Sequence, residues 1–376
     1  MRKILLLLGL PILPLIGYFL YLAYAAGEFR SVDNLHPGPC RKVHGVAGPE
    51  DITLHPGRDL ALISSFDRRA AMAGNVRPGA IHAWALDGSM DSPVNLTPDA
   101  GHAFRPHGIS LYVDADGRTT LFVVNHPGEA LFGDRPETSA DGPAHTIEVF
   151  DYRPGIGGPG GRLTHRETRA HESMIRPNNV VAVDHERFYF TNDHGSSPGF
   201  SRTLEDYLRL GWANVVYFDG REFREVVDGL TYANGIDISA DARRVYVAEV
   251  TRSRLREYAR DPASGALNQL RAIDVGFGID NIAVDDDTGA LWLGGHVKLL
   301  TFARHAGDAE VPSPSQAVRV RLSDSPEVET VFLDDGRLIS GASSAVHRDG
   351  HLLLGSVFES HMVECVGLSV RGDRES

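Results

Sequence analysis

The stretch Pro177–Asp193, PNNVVAVDHERFYFTND, contains the pattern that decides the fold of this chain. It has a small polar start, a short apolar strand, an acidic turn at Asp184 and a second apolar strand, which together predict a β-hairpin. Five other segments repeat this pattern, and they start at Pro49, Pro106, Ala233, Asp280 and Ser343. A repeat of this kind indicates one structural unit that is used six times along the chain.

The spacing of these repeats predicts a propeller. Their aligned apolar positions are Ile52, Ile109, Val180, Ile236, Ile282 and, with a looser match, Ser344. Successive positions lie on average about 58 residues apart, which is room for the four short strands of one propeller blade. We therefore expect an all-β fold with a single six-bladed β-propeller domain over 40–366, followed by a polar tail over 367–376.

The composition excludes one class of partner. The chain has 376 residues and a formal net charge of −13, and it contains no basic run. Nucleic-acid binding requires a basic surface, because an acidic surface repels phosphates. We therefore expect no nucleic-acid partner.

The N-terminus predicts export. Arg2 and Lys3 precede an uncharged stretch, 4–27, that is long enough to cross a bilayer of about 30 Å. The positive flank predicts a signal anchor over 1–27, a juxtamembrane segment over 28–39 and a propeller on the extracytoplasmic side of the membrane. The alternative is a secreted protein, because Ala23-Tyr24-Ala25 fits the small-x-small pattern of a signal-peptide cleavage site.

Export bears on two other features. Cys40 and Cys365 are the two cysteines of the chain, and an oxidising compartment favours a disulfide between them over two free thiols. Asn95-Leu96-Thr97 is a glycosylation sequon, which matters if the host glycosylates exported proteins.

One segment departs from the strand pattern. The sequence FSRTLEDYLRLGW, over 200–212, predicts a helix with its apolar residues near one side, namely Phe200, Leu204, Tyr207, Leu208 and Trp212. Two interpretations stay open. The helix packs on the propeller, or it forms a lid over one mouth of the central tunnel and touches lipid.

The start of each repeat carries the residues that point to chemistry. Equivalent positions of successive blades meet around a propeller axis, so the polar residue two places before each aligned position is informative. These residues are Glu50, His107, Asn178, Asn234 and Asp280, and the next position adds Asp51, Asn179 and Asn281. Each of them alone is an ordinary turn residue. In register across the repeats, they predict a polar ring on the axis.

The chemistry of this ring favours calcium. Calcium takes six to eight hard oxygen ligands in a flexible shell. Two carboxylates, Glu50 and Asp280, would neutralise its charge, and Asn178, Asn234 and Asn281 would add neutral oxygens. The set is a poor match for zinc, which prefers His and Cys, and magnesium demands stricter geometry.

The motifs PEDITLHP, PHGIS, VVNHP, PNNVVAV, FTNDH, YANGIDIS and DNIAVD together resemble the paraoxonase/arylesterase family of calcium-dependent lactonases, within the wider gluconolactonase-like propellers. The resemblance covers most of the chain from about Cys40 to Cys365. It implies a catalytic calcium on the same five residues, Glu50, Asn178, Asn234, Asp280 and Asn281. It also implies that the two cysteines pair, and that the hydrophobic N-terminus stays uncleaved.

The resemblance further implies a second, structural calcium. Asp51 and the backbone carbonyl of Ile109 match its site, but Asn179 stands where the family usually has an aspartate. The loss of one carboxylate is expected to weaken this second site.

The resemblance also assigns a histidine pair that matches His107 and His126. A histidine with a pKa near neutrality is a suitable general base for water. Glu50 or Asp280 is the alternative base. His194 is expected to line the tunnel, and Tyr232 to pack near the substrate.

Together these features predict a calcium-dependent hydrolase of lactones and aryl esters. Calcium would polarise the carbonyl group, and a water activated by histidine or carboxylate would attack it. Two alternatives remain. One is a different enzyme on the same scaffold, such as a gluconolactonase-like sugar-lactone hydrolase, a lyase or an isomerase. The other is a non-catalytic propeller that serves as a binding module.

Overall fold

The computed structural model describes residues 12–101, 103–128, 143–158 and 160–368. The strands in this part of the chain form six antiparallel sheets of four strands each, which confirms the predicted six-bladed propeller. In the first five blades the four strands follow chain order from the axis outwards. The first strands of neighbouring blades contact each other in a closed ring, so they line the axis.

The strand bounds of the first three blades are β2 Pro49–Leu54, β3 Leu60–Ser65, β4 Ala80–Ala85 and β5 Val94–Asn95; β6 Pro106–Val113, β7 Thr119–Asn125, β8 Thr146–Arg153 and β9 Arg162–Arg169; and β10 Pro177–Ala182, β11 Phe188–Asn192, β12 Ala213–Phe218 and β13 Phe223–Leu230. Those of the next two are β14 Ala233–Ile238, β15 Arg244–Glu249, β16 Arg254–Arg260 and β17 Leu267–Asp274; and β18 Gly278–Val284, β19 Leu291–His296, β20 Ser315–Arg321 and β21 Glu327–Asp334. The sixth blade combines β1 Cys40–His44 with β22 Ala342–Arg348, β23 His351–Ser356 and β24 His361–Val366.

The sixth blade closes the ring by joining the two ends of the domain. β1 pairs with β24, and Cys40 lies directly opposite Cys365 in that register. The two cysteines form a disulfide across 325 residues of sequence, which confirms the predicted pairing. β1 completes the sixth blade as its outermost strand, and the disulfide restricts the unfolded chain.

A β-bulge recurs at the same place in the innermost strand of every blade. The pairing register shifts after the first residue of β2, β6, β10, β14 and β22, and after the second residue of β18. Regular pairing resumes by Ile52, Ile109, Val180, Ile236, Ile282 and Ala345. The last of these corrects the predicted alignment of Ser344 by one residue. Bulges redirect side chains, and here the redirected residues are those of the predicted polar ring.

Glycine at alternate blades makes room on the axis. A Cβ at Gly108 would lie 2.5 Å from the Cα of Asn179, and a Cβ at Gly235 would lie 2.6 Å from the carbonyl oxygen of Asp280. Only a residue without a side chain allows the backbones to approach this closely. The positions between these glycines carry Asp51, Asn179 and Asn281.

Four helices interrupt the described strands: α1 Ile12–Ala25, α2 Arg68–Met72, α3 Phe200–Leu208 and α4 Leu299–Gly307. The segment after α1 is tied to the fifth blade, because Glu28 accepts the N–H of Thr301 at 3.0 Å and Leu35 pairs with Leu333. Among the described helices, none has the length and apolar character needed to cross a membrane. Residues 1–11 of the predicted anchor and 369–376 of the predicted tail lie outside the described residues.

The predicted helix over 200–212 is confirmed but is shorter, since α3 ends at Leu208 and Arg209 adopts a left-handed conformation. Four of the five apolar side chains of the predicted helix are exposed, and Leu204 is half-buried. Phe200 is 78% exposed, and Tyr207, Leu208 and Trp212 are about half exposed. The helix is instead held by its polar side, where Glu205 is buried and accepts the N–H groups of Gly195 and Ser196. The helix therefore contacts the propeller as one of the two interpretations expects, but through its polar side, and the second interpretation, a lid that touches lipid, stays a prediction.

Candidate active site

The bulges bring the predicted ring residues together at one end of the propeller axis. Glu50, Asn178, Asn234, Asp280 and Asn281 are all buried. Asn281 donates from Nδ2 to Oε1 of Glu50 at 2.9 Å, and Ser343 of the sixth blade donates to the Glu50 carbonyl oxygen at 2.6 Å. Residues from blades that are far apart in sequence therefore share one small polar site.

Three of the predicted calcium ligands have an oxygen without a hydrogen-bond partner. These buried atoms are Oε2 of Glu50, Oδ1 of Asn178 and Oδ1 of Asn234. Leaving a buried polar atom unsatisfied is unfavourable, so such atoms point to a missing ligand. Among the described residues no three His, Cys, Asp or Glu side chains cluster as a metal site. The donor set of two carboxylates and several amides has the oxygen chemistry that a hard cation such as Ca²⁺ prefers.

The electrostatics of the two ring carboxylates differ. Burial alone would raise the pKa of Glu50, but the charge and hydrogen bond of His107, together with Arg68 and the Asn281 amide, lower it. Burial raises the pKa of Asp280, and the charge of Glu50 adds to this, against the opposing effect of His296. A bound cation would stabilise the charged form of both buried carboxylates.

The predicted second-calcium residues Asp51 and Asn179 also meet, and their side-chain oxygen atoms already accept hydrogen bonds from the protein. Asp51 accepts the N–H of Ile52 at 2.9 Å and the N–H of Ile109 at 2.8 Å. Asn179 lies beside it and donates from Nδ2 to Oδ2 of Asp51 at 3.3 Å. Burial and the charge of Glu50 raise the pKa of Asp51 well above its ordinary value. The groups that contact the Asp51 carboxylate are thus N–H donors of the protein itself.

The predicted histidine pair is in contact, and the structure adds a third member. Nδ1 of His107 lies 2.9 Å from Nε2 of His126, and Nδ1 of His126 lies 2.8 Å from Nδ1 of His145. Nε2 of His107 faces the ring, 3.5 Å from Oε1 of Glu50. His126 and His145 are buried, whereas the side chain of His107 is 20% exposed. The arrangement forms a chain of imidazoles that leads away from the ring.

His194 and Tyr232 lie together on another side of the site. Their rings meet edge to face at 4.7 Å, and Tyr232 has a positive φ of 52°, an uncommon conformation for a large residue. Nδ1 of His194 contacts Asp193 at 2.7 Å, and Nε2 contacts Asp206 of α3 at 2.8 Å. Asp193 accepts from Nδ2 of Asn178 at 3.4 Å. His194 therefore connects the α3 helix to the ring.

These contacts shift the pKa values of His194 and Asp193. Burial would lower the pKa of His194, but Asp193 and Asp206 outweigh it and raise the pKa to about 9. Burial would raise the pKa of Asp193, but Arg176 and His194 lower it below its usual range. Both groups are therefore charged at neutral pH.

Sequence reasoning missed four residues of this site: Arg68, His145, Asp193 and His296. His296 contacts Asp280 at 2.9 Å and stacks on Phe302 of α4 at 3.6 Å. One signal was available for it, because the last residue of the second strand is polar in every blade, as Ser65, Asn125, Asn192, Glu249, His296 and Ser356. His145 precedes β8, outside the repeated positions, so no repeat could have indicated it.

A cavity of about 1650 Å³ lies at the opposite end of the axis. It is lined by the later residues of the inner strands, including Leu54, Leu111 and Val181, and by the Asp285–Asp287 turn. The histidine chain does not line it. Size alone would favour this cavity as the site, but the unsatisfied oxygens and histidines favour the ring end.

Comparisons with known proteins bear on the family and on the fold. The family described as Arylesterase matches residues 31–365. Serum paraoxonase/arylesterase 2 of Rattus norvegicus is 33% identical over 365 residues, which covers 94% of this chain and 96% of that protein. Two solved structures share the fold alone. Luciferin-regenerating enzyme has a TM-score of 0.52 at 11% identity, covering 89% of this chain and 97% of its own. The aldose sugar dehydrogenase of Streptomyces coelicolor has a TM-score of 0.50 at 14% identity, covering 88% and 98%.

Proposed function

The chain belongs to the arylesterase family, and on this premise we propose that it hydrolyses aryl esters and lactones at the polar ring, with Ca²⁺ as its cofactor. The observation that carries the proposal is the set of buried, unsatisfied oxygens on Glu50, Asn178 and Asn234. The Glu50 carboxylate also lies next to a histidine, since its Oε1 is 3.5 Å from Nε2 of His107. Ester hydrolysis requires a group that stabilises negative charge on the carbonyl oxygen and, next to it, a base that activates water.

The residues that would hold calcium are Glu50, Asn178, Asn234, Asp280 and Asn281. When bound, Ca²⁺ supplies positive charge that stabilises the negative charge developing on the substrate carbonyl oxygen. Asn281 contributes differently from the others, since its Oδ1 already accepts a hydrogen bond from Asn179 at 2.6 Å. An amide oxygen has two lone pairs, so one remains for the cation.

His107 is our choice for the general base. We assign Nδ1–H of His107 as the donor to Nε2 of His126, and Nδ1–H of His126 as the donor to Nδ1 of His145, across the contacts given above. This assignment leaves a lone pair on Nε2 of His107. It takes a proton from the attacking water there, and the Nδ1 proton passes to His126.

His145 extends this path by one step. His126 receives a proton at Nε2 and releases its own Nδ1 proton to Nδ1 of His145, so positive charge moves away from the ring. That movement keeps the charge of the imidazolium apart from a bound cation, which lowers their repulsion. Glu50 and Asp280 are the competing bases, but as calcium ligands their lone pairs would be engaged.

The surroundings favour lipophilic substrates over sugar acids. Tyr232 lies beside His194, and the exposed apolar side of α3 begins at Phe200. Apolar groups bind acyl chains and aryl rings better than they bind polyols. We therefore propose aliphatic lactones and aryl acetates as the preferred substrate class.

The test is hydrolysis of phenyl acetate and an aliphatic lactone by the full-length chain in detergent, before and after calcium removal with a chelator. We expect activity that is lost with the metal and restored by Ca²⁺ but not by Mg²⁺. Activity that survives complete calcium removal would rule out the cofactor. A protein with neither bound calcium nor hydrolytic activity would instead be a propeller that serves as a binding module.

We further propose that the propeller is held on the extracytoplasmic side of a membrane. α1 and α3 meet, because the Tyr18 hydroxyl donates to the carbonyl of Tyr207 at 2.5 Å. Together they expose apolar side chains, including Leu15, Phe19, Leu20, Phe200 and Trp212. Such a surface favours insertion into a bilayer interface. Co-sedimentation with lipid vesicles tests this: Phe200→Ser with Trp212→Ser should weaken binding, and a wild-type chain that stays in the supernatant would contradict it.

A further inference from the structure

Three polar side chains from alternate blades meet on the axis, where Asn281 of the ring and Asp51 both contact Asn179. They are Asp51, Asn179 and Asn281, and all three are buried. Gly108 and Gly235 lie between them in blade order and provide the space. The resemblance stated above implies a structural calcium at this place. Whether a calcium ion binds here depends on whether these side chains direct oxygen atoms or N–H groups at one another.

The orientation of the Asn179 amide is set by its own backbone. Oδ1 accepts the N–H of Val180 at 2.7 Å. The reverse orientation would place two N–H donors against this N–H, which is unfavourable. Nδ2 therefore points to the axis, where it donates to Oδ1 of Asn281 at 2.6 Å and to Oδ2 of Asp51 at 3.3 Å.

Asp51 is satisfied by the same arrangement. Its Oδ1 accepts from Ile52, and its Oδ2 accepts from Ile109 and Asn179. The N–H groups of Ile52 and Ile109 act against the cost of burying the Asp51 carboxylate. A cation at this place would meet a hydrogen-bond donor at Nδ2 where it needs an oxygen lone pair, so these residues do not fit calcium.

We infer that the Asn179 amide replaces the second calcium, so that this chain holds its axis together with hydrogen bonds and binds calcium only at the ring. An aspartate at position 179 would put a carboxylate oxygen where Nδ2 now lies. Two carboxylates and the Asn281 oxygen would then face each other, and a cation would be needed to hold them together.

The experiment counts calcium ions per full-length chain by elemental analysis, after free calcium has been removed by gel filtration. We expect one ion per wild-type chain and two per Asn179→Asp chain. Asn179→Ala is the matched control, because it removes the donor without adding a carboxylate, and its count should stay at one. Thermal unfolding in chelator is the second readout: Asn179→Asp should lose more of its Tm than the wild type and regain it with added Ca²⁺.

Two results would overturn the inference. One is a wild-type chain with two ions, and the other is an Asn179→Asp chain with the same count as the wild type. If that variant fails to fold, Asp51→Asn decides, because its calcium count should equal that of the wild type, and a count lower by one overturns the inference. The inference rests on the proposed function only for the ion at the ring. A wild-type count of zero with one ion in Asn179→Asp would support it and remove the proposed cofactor.

Discussion

His107 and His126 form a direct contact, with Nδ1 of the first 2.9 Å from Nε2 of the second, although one lies in β6 and the other directly after β7. The contact leaves Nε2 of His107 facing Glu50, so one imidazole joins the ring to a buried histidine chain. A base that lies near the ring and can pass its proton to a neighbouring histidine can act repeatedly without a change in geometry.

The first prediction concerns the base. His107→Gln should lower kcat for phenyl acetate by about 10²- to 10⁴-fold, because a glutamine side chain cannot take the proton of water. Calcium content, measured on the same samples, should not change. His171→Gln, at an exposed histidine outside the site, is the control and should keep full activity. Unchanged rates in His107→Gln would reassign the base to Glu50 or Asp280.

The second prediction concerns His145, which lies one step further from the ring. His145→Asn should lower kcat roughly tenfold with little change in KM, because outer partners of a functional histidine have effects of this size. The double variant with His107→Gln should be no slower than His107→Gln alone, since both act on one proton path. Additive losses in the double variant would show that His145 supports the fold and not the path.

The third prediction tests a calcium ligand. Asn234→Ala removes one of the unsatisfied oxygens and should raise the Kd for calcium about tenfold, equivalent to about 1.4 kcal/mol. Calorimetric titration measures this directly, and excess Ca²⁺ should restore much of the activity. Asn268→Ala, on the outer strand of the same blade, should bind calcium like the wild type. Equal Kd values for the two variants would remove Asn234 from the ligand set.

The fourth prediction concerns closure of the propeller. Replacing Cys40 and Cys365 by alanine should lower the free energy of unfolding by about 2 to 5 kcal/mol, because the disulfide joins residues that are 325 positions apart. Denaturant unfolding measures the loss. A reducing agent should destabilise the wild type by a similar amount and leave the double variant unaffected. A wild type insensitive to reduction would contradict the prediction.

The fifth prediction is a pH dependence of stability at His194. Its pKa in the folded protein is raised to about 9, against 6.5 for an ordinary histidine. The stabilisation by Asp193 and Asp206 is therefore complete below pH 6.5, and it is lost as the pH rises through about 9. His194→Gln should be clearly less stable than the wild type at about pH 6 and nearly equal at about pH 10. A difference in unfolding free energy that does not depend on pH would reject the ion pair.

Much of the ring could be predicted because it follows from symmetry. Each blade places the same position on the axis, so Glu50 and Asn178 are equivalent in space whenever they are equivalent in the repeat. The prediction was less secure where the repeat is weak. In the sixth blade two serines replace the polar signature, and the alignment of Ser344 was one residue early, with Ala345 in its place.

Other features depend on contacts that no repeat encodes. His145 meets His126 only because β7 and β8 pair in one register. The α3 helix exposes Phe200 and buries Glu205, which reverses the arrangement expected of an amphipathic helix on a core. Its polar side forms hydrogen bonds with the loop at Gly195, and helical periodicity cannot predict these contacts.

The sequence by itself determined the number of blades and the residues of the ring, because both follow from repetition. It also predicted the cysteine pair, because the chain has two cysteines, export is expected, and the family it resembles pairs them. Only the tertiary structure decided how the side chains of the ring residues are turned. The bulges aim them at the axis, the backbone of Val180 orients the Asn179 amide, and neighbouring blades leave the oxygens of Glu50, Asn178 and Asn234 unsatisfied. Hydrogen bonding depends on direction and distance between atoms of different blades, and these are set only when the ring of blades closes.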